Sequence, residues 1–126
     1  MNDQEKQCPF CAPSVTALAA NTHALAISDK YPVSLGHCLV IPKVHVADIF
    51  QLPEDVYLAC LGLVRVIKAL LDTQYHPAGF NIGINSGKVA GQTIFHAHIH
   101  VIPRYMGDVP DPTGGVRNII PGKGTY

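Results

Sequence analysis

Three histidines alternate with small or apolar residues in the run Phe95-His-Ala-His-Ile-His-Val-Ile102. Because a β-strand places successive side chains on opposite faces, a strand over residues 95–102 would align His96, His98 and His100 on one surface. The residues that would then enter the core are Ala97, Ile99 and Val101. The spacing therefore predicts a cluster of imidazoles and not a scatter of single histidines.

Three imidazoles on one surface allow three interpretations. Imidazole is the commonest metal-binding side chain, so a metal site is one of them. A solvated polar strand face is the second. The third is nucleophilic catalysis, in which a neutral imidazole attacks phosphorus and water later hydrolyses the phosphoramidate. Such a nucleophile needs a backbone carbonyl or another histidine to accept a hydrogen bond from its second ring nitrogen.

A second motif, Cys8-Pro-Phe-Cys11, has the spacing of half a tetrahedral zinc site. It also has the pattern of a redox-active dithiol, which requires the first cysteine at the start of a helix that follows a strand. Only seven residues precede Cys8, and Pro13 follows Cys11 closely. The spacing therefore favours structural zinc over redox chemistry.

The elements around these motifs predict an α+β fold: a mainly antiparallel sheet of about five strands with one long helix packed on it. Apolar residues recur at three- and four-residue spacing after Pro53, which predicts a helix of about five turns that ends at 76–79. The stripe comprises Val56, Cys60, Leu63, Ile67 and Leu70 or Leu71. Strands are predicted at His23–Ser28, Gly36–Ile41 (before Pro42), Phe80–Asn85 and Phe95–Ile102, the last two joined by a glycine-containing loop at 86–92.

Composition limits the possible partners. The chain of 126 residues is 48% apolar and is predicted to form a single domain over 1–126. Nine basic residues offset nine acidic ones without any like-charge block, which argues against nucleic acid or anionic lipid as partner.

The apolar stretch 56–71 contains Arg65 and Lys68 and is too short to span a membrane. No signal sequence is recognisable, so a cytoplasmic protein is expected, with an extended, glycine-rich tail from about residue 106.

The run His96-Ala-His-Ile-His-Val-Ile102 resembles the motif of the histidine-triad (HIT) family. Further matches fall at the spacing of that family: Asp29, Gly36-His37, Ile41-Pro-Lys-Val-His45, Asn85 and Gly91-Gln-Thr93. The resemblance covers roughly residues 8 to 105, and the combination is much more specific than the triad alone.

The resemblance implies a role for each matched residue. His98 would be the catalytic nucleophile, with His100 beside the transferred phosphate and His37 as a fourth histidine in the same cluster. Asp29 would bind the ribose hydroxyls. The phosphate would be surrounded by Asn85, Gly91, Gln92 and Thr93, and the base would lie against apolar residues such as Leu25, Ile27 and Ile41. A structural zinc would be held by Cys8, Cys11, His45 and His96.

The function implied is hydrolysis of nucleoside 5′-phosphoryl compounds, such as diadenosine tetraphosphate, by a homodimeric enzyme through a nucleotidyl-histidine. Pro103-Arg104, Gly107-Asp108 and Gly114-Gly-Val-Arg117 resemble a bacterial branch described as diadenosine polyphosphate hydrolase-like. Arg104 and Arg117 are candidates for polyphosphate contact. The alternatives are a phosphoramidate hydrolase, a nucleotidyltransferase with the same intermediate, and a nucleotide-binding module without catalysis.

Overall fold

A computed structural model describes residues 7–126 and contains a five-stranded antiparallel sheet with one long helix packed on it. The strands are β1 (Ala19–Ala20), β2 (Ala24–Ser28), β3 (Cys38–Pro42), β4 (Gly79–Gly83) and β5 (Ile99–Arg104), and the helix is α1 (Glu54–Tyr75). Their order across the sheet is β1-β2-β3-β5-β4, and every neighbouring pair is antiparallel. The predicted α+β architecture is confirmed.

Helix α1 begins after Pro53 and ends at Tyr75, and the C-cap residue His76 adopts a left-handed conformation with φ of 51°. Its 22 residues make it about a turn longer than predicted. The predicted apolar stripe is confirmed, with Leu71 as its last member, because Leu70 is 46% exposed. Within the described residues, no helix is long and apolar enough to cross a membrane.

The sheet has two distinct apolar faces. Ala26, Val40 and Val101 point toward α1 and belong to the larger core. On the opposite face, Leu39 and Ile41 pack with Phe10 from the N-terminal segment in a smaller cluster. This second face carries the chemistry, because the register pairs His100 with Leu39 and strand neighbours share a face.

The predicted strand boundaries need correction around the histidine motif. β5 begins at Ile99, so residues 95–98 lie outside the ladder, and it continues through Pro103 to Arg104. The alternation still holds, since Ala97 is buried in the same core as Ile99, and its amide donates to the Val46 carbonyl at 2.7 Å. Val46 lies in the loop that precedes α1. A hydrogen bond to this loop therefore holds residues 95–98 extended, where pairing with a strand was predicted.

Strand β3 includes Pro42, where the proline was expected to end the strand at Ile41. The pairing of β3 with β5 ends at Val40 opposite Ile99, whereas pairing with β2 continues to Pro42 opposite Ala24. Pro42 therefore has no strand on its other side, and its missing N–H breaks no ladder bond there.

The tail after residue 106 is more structured than the extended segment that was predicted. It contains a 3₁₀ turn at Gly115–Ile119, which contacts β4. The start of the tail is fixed by Arg104, whose Nε and Nη2 donate to the Asp108 carboxylate at 2.7 and 2.8 Å. The Tyr105 hydroxyl donates to the Leu35 carbonyl at 2.6 Å.

Candidate active site and metal cluster

A cavity of about 650 Å³ lies on the face of the sheet opposite α1. All three predicted catalytic histidines line it, as do the predicted substrate-binding residues except Gln92 and two of the predicted base-contacting residues, Leu25 and Ile41. These lining residues are Ile27, Asp29, His37, Asn85, Gly91, Thr93, His98 and His100. Residues far apart in the sequence therefore meet in one pocket.

The ring of His98 has a defined orientation and tautomer. Its Nδ1 lies 2.9 Å from the backbone carbonyl oxygen of His96. Because a carbonyl only accepts, Nδ1 must carry the proton, which leaves a lone pair on Nε2 of the neutral ring. The side chain is buried, and the Phe10 ring packs edge-on against it at 5.1 Å between centroids. This is the arrangement that a nucleophilic imidazole requires.

One backbone amide determines which ring nitrogen carries the proton in neutral His37 and His100. The amide of Val33 donates to His37 Nδ1 at 3.1 Å, so the proton of the neutral His37 ring lies on Nε2. That Nε2 lies 3.0 Å from His100 Nδ1, which therefore accepts. Neutral His100 then carries its own proton on Nε2, as a donor in a cavity that also contains His98.

The electrostatics of this relay keep its histidines neutral. Burial lowers the pKa of His37, an effect partly offset by the carboxylate of Asp29, whose Oδ2 lies 3.3 Å from His37 Nε2. Burial also lowers the pKa of His100 to about 4, with further lowering by the nearby His98 and His37. The other carboxylate oxygen of Asp29, Oδ1, accepts a hydrogen bond from the Tyr31 amide at 2.8 Å and so stabilises the turn after β2.

The side-chain ligand atoms of Asp29, His37 and His100 lie within 4.8 Å of one another, close enough for a metal ion. The amide of Val33 argues against that use. A metal ion bound to His37 Nε2 would displace the proton from that nitrogen. Because His37 Nδ1 accepts a hydrogen bond and carries no proton either, the ring would have to be an imidazolate anion. We therefore assign these three residues to a hydrogen-bonded relay.

Gln92 lies beside the cavity without lining it. Its buried side chain accepts from the Gly87 amide at 3.0 Å and donates to the Ala47 carbonyl at 2.6 Å and the Ile94 carbonyl at 3.0 Å. These bonds close the loop between β4 and β5. In this structure Gln92 thus fixes the loop that presents Gly91 and Thr93 to the cavity.

The arginines considered for polyphosphate contact do not line this cavity. Arg104 is engaged by Asp108 and also donates to Asn81 Oδ1 at 2.6 Å. Arg117 donates to the Lys123 carbonyl at 2.9 Å, and its guanidinium lies over the Tyr126 ring at 4.6 Å. Both side chains are therefore occupied in holding the tail.

The four predicted zinc ligands converge beside the cavity. Nδ1 of His45 and Nδ1 of His96 are 3.1 Å apart, Cys11 Sγ is 3.1 Å from His45 Nδ1, and Cys8 Sγ is 3.3 Å from His96 Nδ1. Tetrahedral zinc with its usual bond lengths of about 2.0–2.3 Å separates its ligand atoms by roughly 3.3–3.8 Å. These three separations lie within a few tenths of an ångström of that range, and all four ligand atoms lie within 4.8 Å of one another.

The orientation of the His96 ring supports metal binding. Its Nε2 donates to the Pro42 carbonyl at 2.8 Å, which leaves the lone pair of Nδ1 directed at the cluster. Burial lowers the pKa of His96, which favours the neutral ring that a metal requires. Cys8 follows a helical residue and starts a turn, so it does not occupy the first turn of a helix where a redox cysteine is activated.

The four candidate zinc ligands and the cavity share residues. His96 supplies a ring to the cluster and a carbonyl to His98, and the Phe10 ring packs against both of these histidines. Sequence reasoning did not single out Phe10 or Val33. The position of Phe10 between the two cysteines was an available signal, whereas Val33 acts through its amide, which every residue except proline has.

Comparisons with known proteins agree with this geometry. The sequence profile of the HIT domain matches residues 14–107. This chain belongs to the HIT family. It is 37% identical over 106 residues to the Bacillus subtilis protein hit, covering 79% of this chain and 72% of that protein. The family generally comprises nucleotide-binding hydrolases and transferases.

Two further relatives carry more specific descriptions. Adenylylsulfatase HINT3 of Arabidopsis thaliana is 36% identical over 79% of this HIT chain, which spans only 53% of the plant protein. A crystal structure of a zinc-bound histidine-triad protein from Mycobacterium smegmatis superposes with a TM-score of 0.74 at 35% identity. That match covers 85% of this chain and 86% of the mycobacterial one.

Proposed function

We propose that this protein hydrolyses nucleoside 5′-phosphoryl compounds through a covalent nucleotidyl intermediate on His98 and releases a nucleoside monophosphate. Dinucleoside polyphosphates such as diadenosine tetraphosphate and nucleoside phosphoramidates both belong to this class. The observation that carries the proposal is the 2.9 Å hydrogen bond from His98 Nδ1 to the His96 carbonyl. In the neutral ring it leaves the lone pair on Nε2, which can act as the nucleophile in a nucleotide-sized cavity.

The first chemical step forms a bond between His98 Nε2 and the α-phosphorus while the bond to the leaving group breaks. Neutral His100 provides an Nε2–H donor in the same cavity, and we assign it to a phosphoryl oxygen. Thr93 and the loop at Gly91, where φ is 95°, line the remaining side and would stabilise negative charge on the phosphoryl group. Asp29 would accept hydrogen bonds from the ribose hydroxyls.

In the second step water attacks phosphorus, the bond to His98 breaks, and the nucleoside monophosphate leaves. If another phosphate took the place of water, the same intermediate would give a nucleotidyltransferase. The name of the Arabidopsis relative supports this class, because adenylyl sulfate is itself a nucleoside 5′-phosphoryl compound.

Phosphorus NMR tests the proposal with diadenosine tetraphosphate and adenosine 5′-phosphoramidate as substrates. The intact protein is expected to release AMP, and His98→Ala to lose at least about 10³-fold in kcat. His23→Ala is the matched control, because His23 is a part-exposed histidine at the start of β2 and does not line the cavity. If the intact protein leaves both compounds unchanged while binding AMP, a nucleotide-binding module without catalysis replaces this proposal.

We also propose that Cys8, Cys11, His45 and His96 hold a structural zinc. Bound zinc would join the N-terminal segment to the sheet, and its four protein ligands would leave no open position for a reacting water. Support comes from the converging ligand atoms and from the zinc-bound mycobacterial relative.

Metal analysis of the purified protein tests the zinc proposal. About one zinc per chain is expected, with loss of zinc and a lower melting temperature in Cys11→Ser. Cys60→Ser is the control for removal of a thiol, since Cys60 is a core-facing residue of α1 and does not belong to the group of four candidate ligands. Protein without zinc but with a dithiol that oxidises reversibly would instead support redox chemistry.

A further inference from the structure

A second cavity, of about 610 Å³, lies between the sheet and the C-terminal tail. Its apolar side is formed by Val33, Leu35 and Ile102, and its tail side by residues 108–118. All of that tail segment lies beyond residue 107, where the match to the HIT domain ends. The cavity therefore combines a wall from the matched domain with a wall of six tail residues that the family match does not include.

The second cavity continues from the candidate active site along β5. Ile102 lies two residues after His100 on the same face of the strand, about 7 Å away. Val33 lines both cavities, and its amide fixes the His37–His100 relay. A substrate whose phosphorus lies beside His98 and His100 could therefore extend past Val33 into the second cavity.

The charges in the second cavity are unbalanced. Three of its described lining residues are charged, and two of these, Arg104 and Asp108, neutralise each other in a two-pronged ion pair. The third, Asp111, accepts a hydrogen bond from the Thr113 amide at 3.0 Å and has no cationic partner among the described residues. Hydrogen bonds from Thr113 lower the pKa of Asp111, so it is a carboxylate at neutral pH.

We propose that the second cavity receives the leaving group of the substrate and that Asp111 makes it select cationic or neutral leaving groups over anionic ones. This inference rests on the proposed function and narrows it. A polyphosphate leaving group would bring several negative charges to a carboxylate, with the only lining arginine already paired. An amine carrying a second, cationic group would instead be attracted, and its alkyl chain would lie against Leu35 and Ile102.

Release of an amine from a phosphoramidate requires no reactant other than His98 and water. His98 Nε2 bonds to phosphorus as the phosphorus–nitrogen bond of the substrate breaks. The electron pair of that bond stays on the amine nitrogen, which takes a proton from solvent and leaves as an amine. Water then hydrolyses the nucleotidyl-histidine to AMP.

This inference is tested with three adenosine 5′-phosphoramidates that differ only at the far end of the amine. The amines are 1,3-diaminopropane, propylamine and β-alanine, whose far ends are cationic, neutral and anionic. We expect kcat/KM to fall in that order, with about a tenfold difference between the first and the last at low salt. Asp111→Asn should reduce this difference to about twofold, while Asp55→Asn, which removes the same charge on α1, should preserve it.

Each other outcome has a distinct meaning. Equal kcat/KM for the three compounds, or a charge preference that Asp111→Asn leaves intact, overturns the leaving-group inference while the proposed function stands. Absence of AMP from all three compounds and from diadenosine tetraphosphate overturns the proposed function itself.

Discussion

His96 connects two sites through different parts of one residue. Its ring Nδ1 faces the cysteines, its ring Nε2 donates to the Pro42 carbonyl, and its own carbonyl accepts from His98. A change that shifts the backbone of this residue would also move the hydrogen bond that fixes the His98 tautomer. The zinc that we propose would thus act on catalysis through orientation alone, without contact to the substrate.

The low pKa of His100 predicts that acid destabilises the fold through this residue. Its pKa is about 4 in the folded chain and about 6.5 when unfolded, so between these values the unfolded chain binds more protons. Stability from this residue is therefore complete above pH 6.5 and falls as the pH falls towards 4. We expect a loss of roughly 2 kcal/mol between pH 6.5 and 5, which His100→Gln should remove.

Urea unfolding at several pH values measures this effect, with His23→Gln as the control for an exposed histidine. Parallel pH profiles of the intact chain and His100→Gln would contradict a lowered pKa of His100.

At the level of elements, the sequence predicted the types of the helix and strands and the residues that face the core better than it predicted boundaries. The α1 stripe and the alternation of Ala97 and Ile99 were predictable because burial follows the period of the backbone. The start of β5 was not, because residues 95–98 are held by the Val46 carbonyl and by the contacts of His96 with Cys8 and His45, instead of by a neighbouring strand. Such contacts depend on residues about 50 and 90 positions away, which no local pattern records.

Two glycines in different backbone environments predict opposite effects of substitution by alanine. Gly36 precedes His37 with φ of 89°, and an added Cβ would lie 2.9 Å from the Tyr75 ring. Gly36→Ala should therefore destabilise the chain by about 2 kcal/mol. Gly62 lies inside α1 with no atom within 4 Å of an added Cβ, so Gly62→Ala should stabilise the chain by about 0.5–1 kcal/mol.

Chemical denaturation of both variants measures the difference. The steric argument fails if Gly36→Ala is as stable as the intact chain, and the propensity argument fails if Gly62→Ala is less stable.

At the level of the whole molecule, the sequence predicted residues that the fold brings together but not what surrounds them. The four candidate zinc ligands and the cavity residues came from recognisable spacing and resemblance. The second cavity did not, because it depends on how the tail folds back after Arg104. The glycines and prolines of that tail permit many conformations, and the ion pair of Arg104 with Asp108 fixes one of them.

The open edge of the sheet gives a reason to expect the homodimer. Strand β4 ends the sheet order, so its outer backbone groups have no strand partner in the described residues. Ile82 on this edge is 45% exposed, and Val66 and Leu70 on α1 are also about half exposed. An exposed edge with apolar neighbours is a template for pairing with another chain. We therefore expect two copies to pair through β4.

Analytical ultracentrifugation at micromolar concentration should then show a dimer. Ile82→Lys should shift it to the monomer with an unchanged circular dichroism spectrum, because a lysine at this position would introduce a buried charge into the pairing surface. Ile119→Lys is the control, since Ile119 is 76% exposed in the tail. A monomeric intact chain would contradict the dimer, and a dimeric Ile82→Lys would place the interface elsewhere on the molecule.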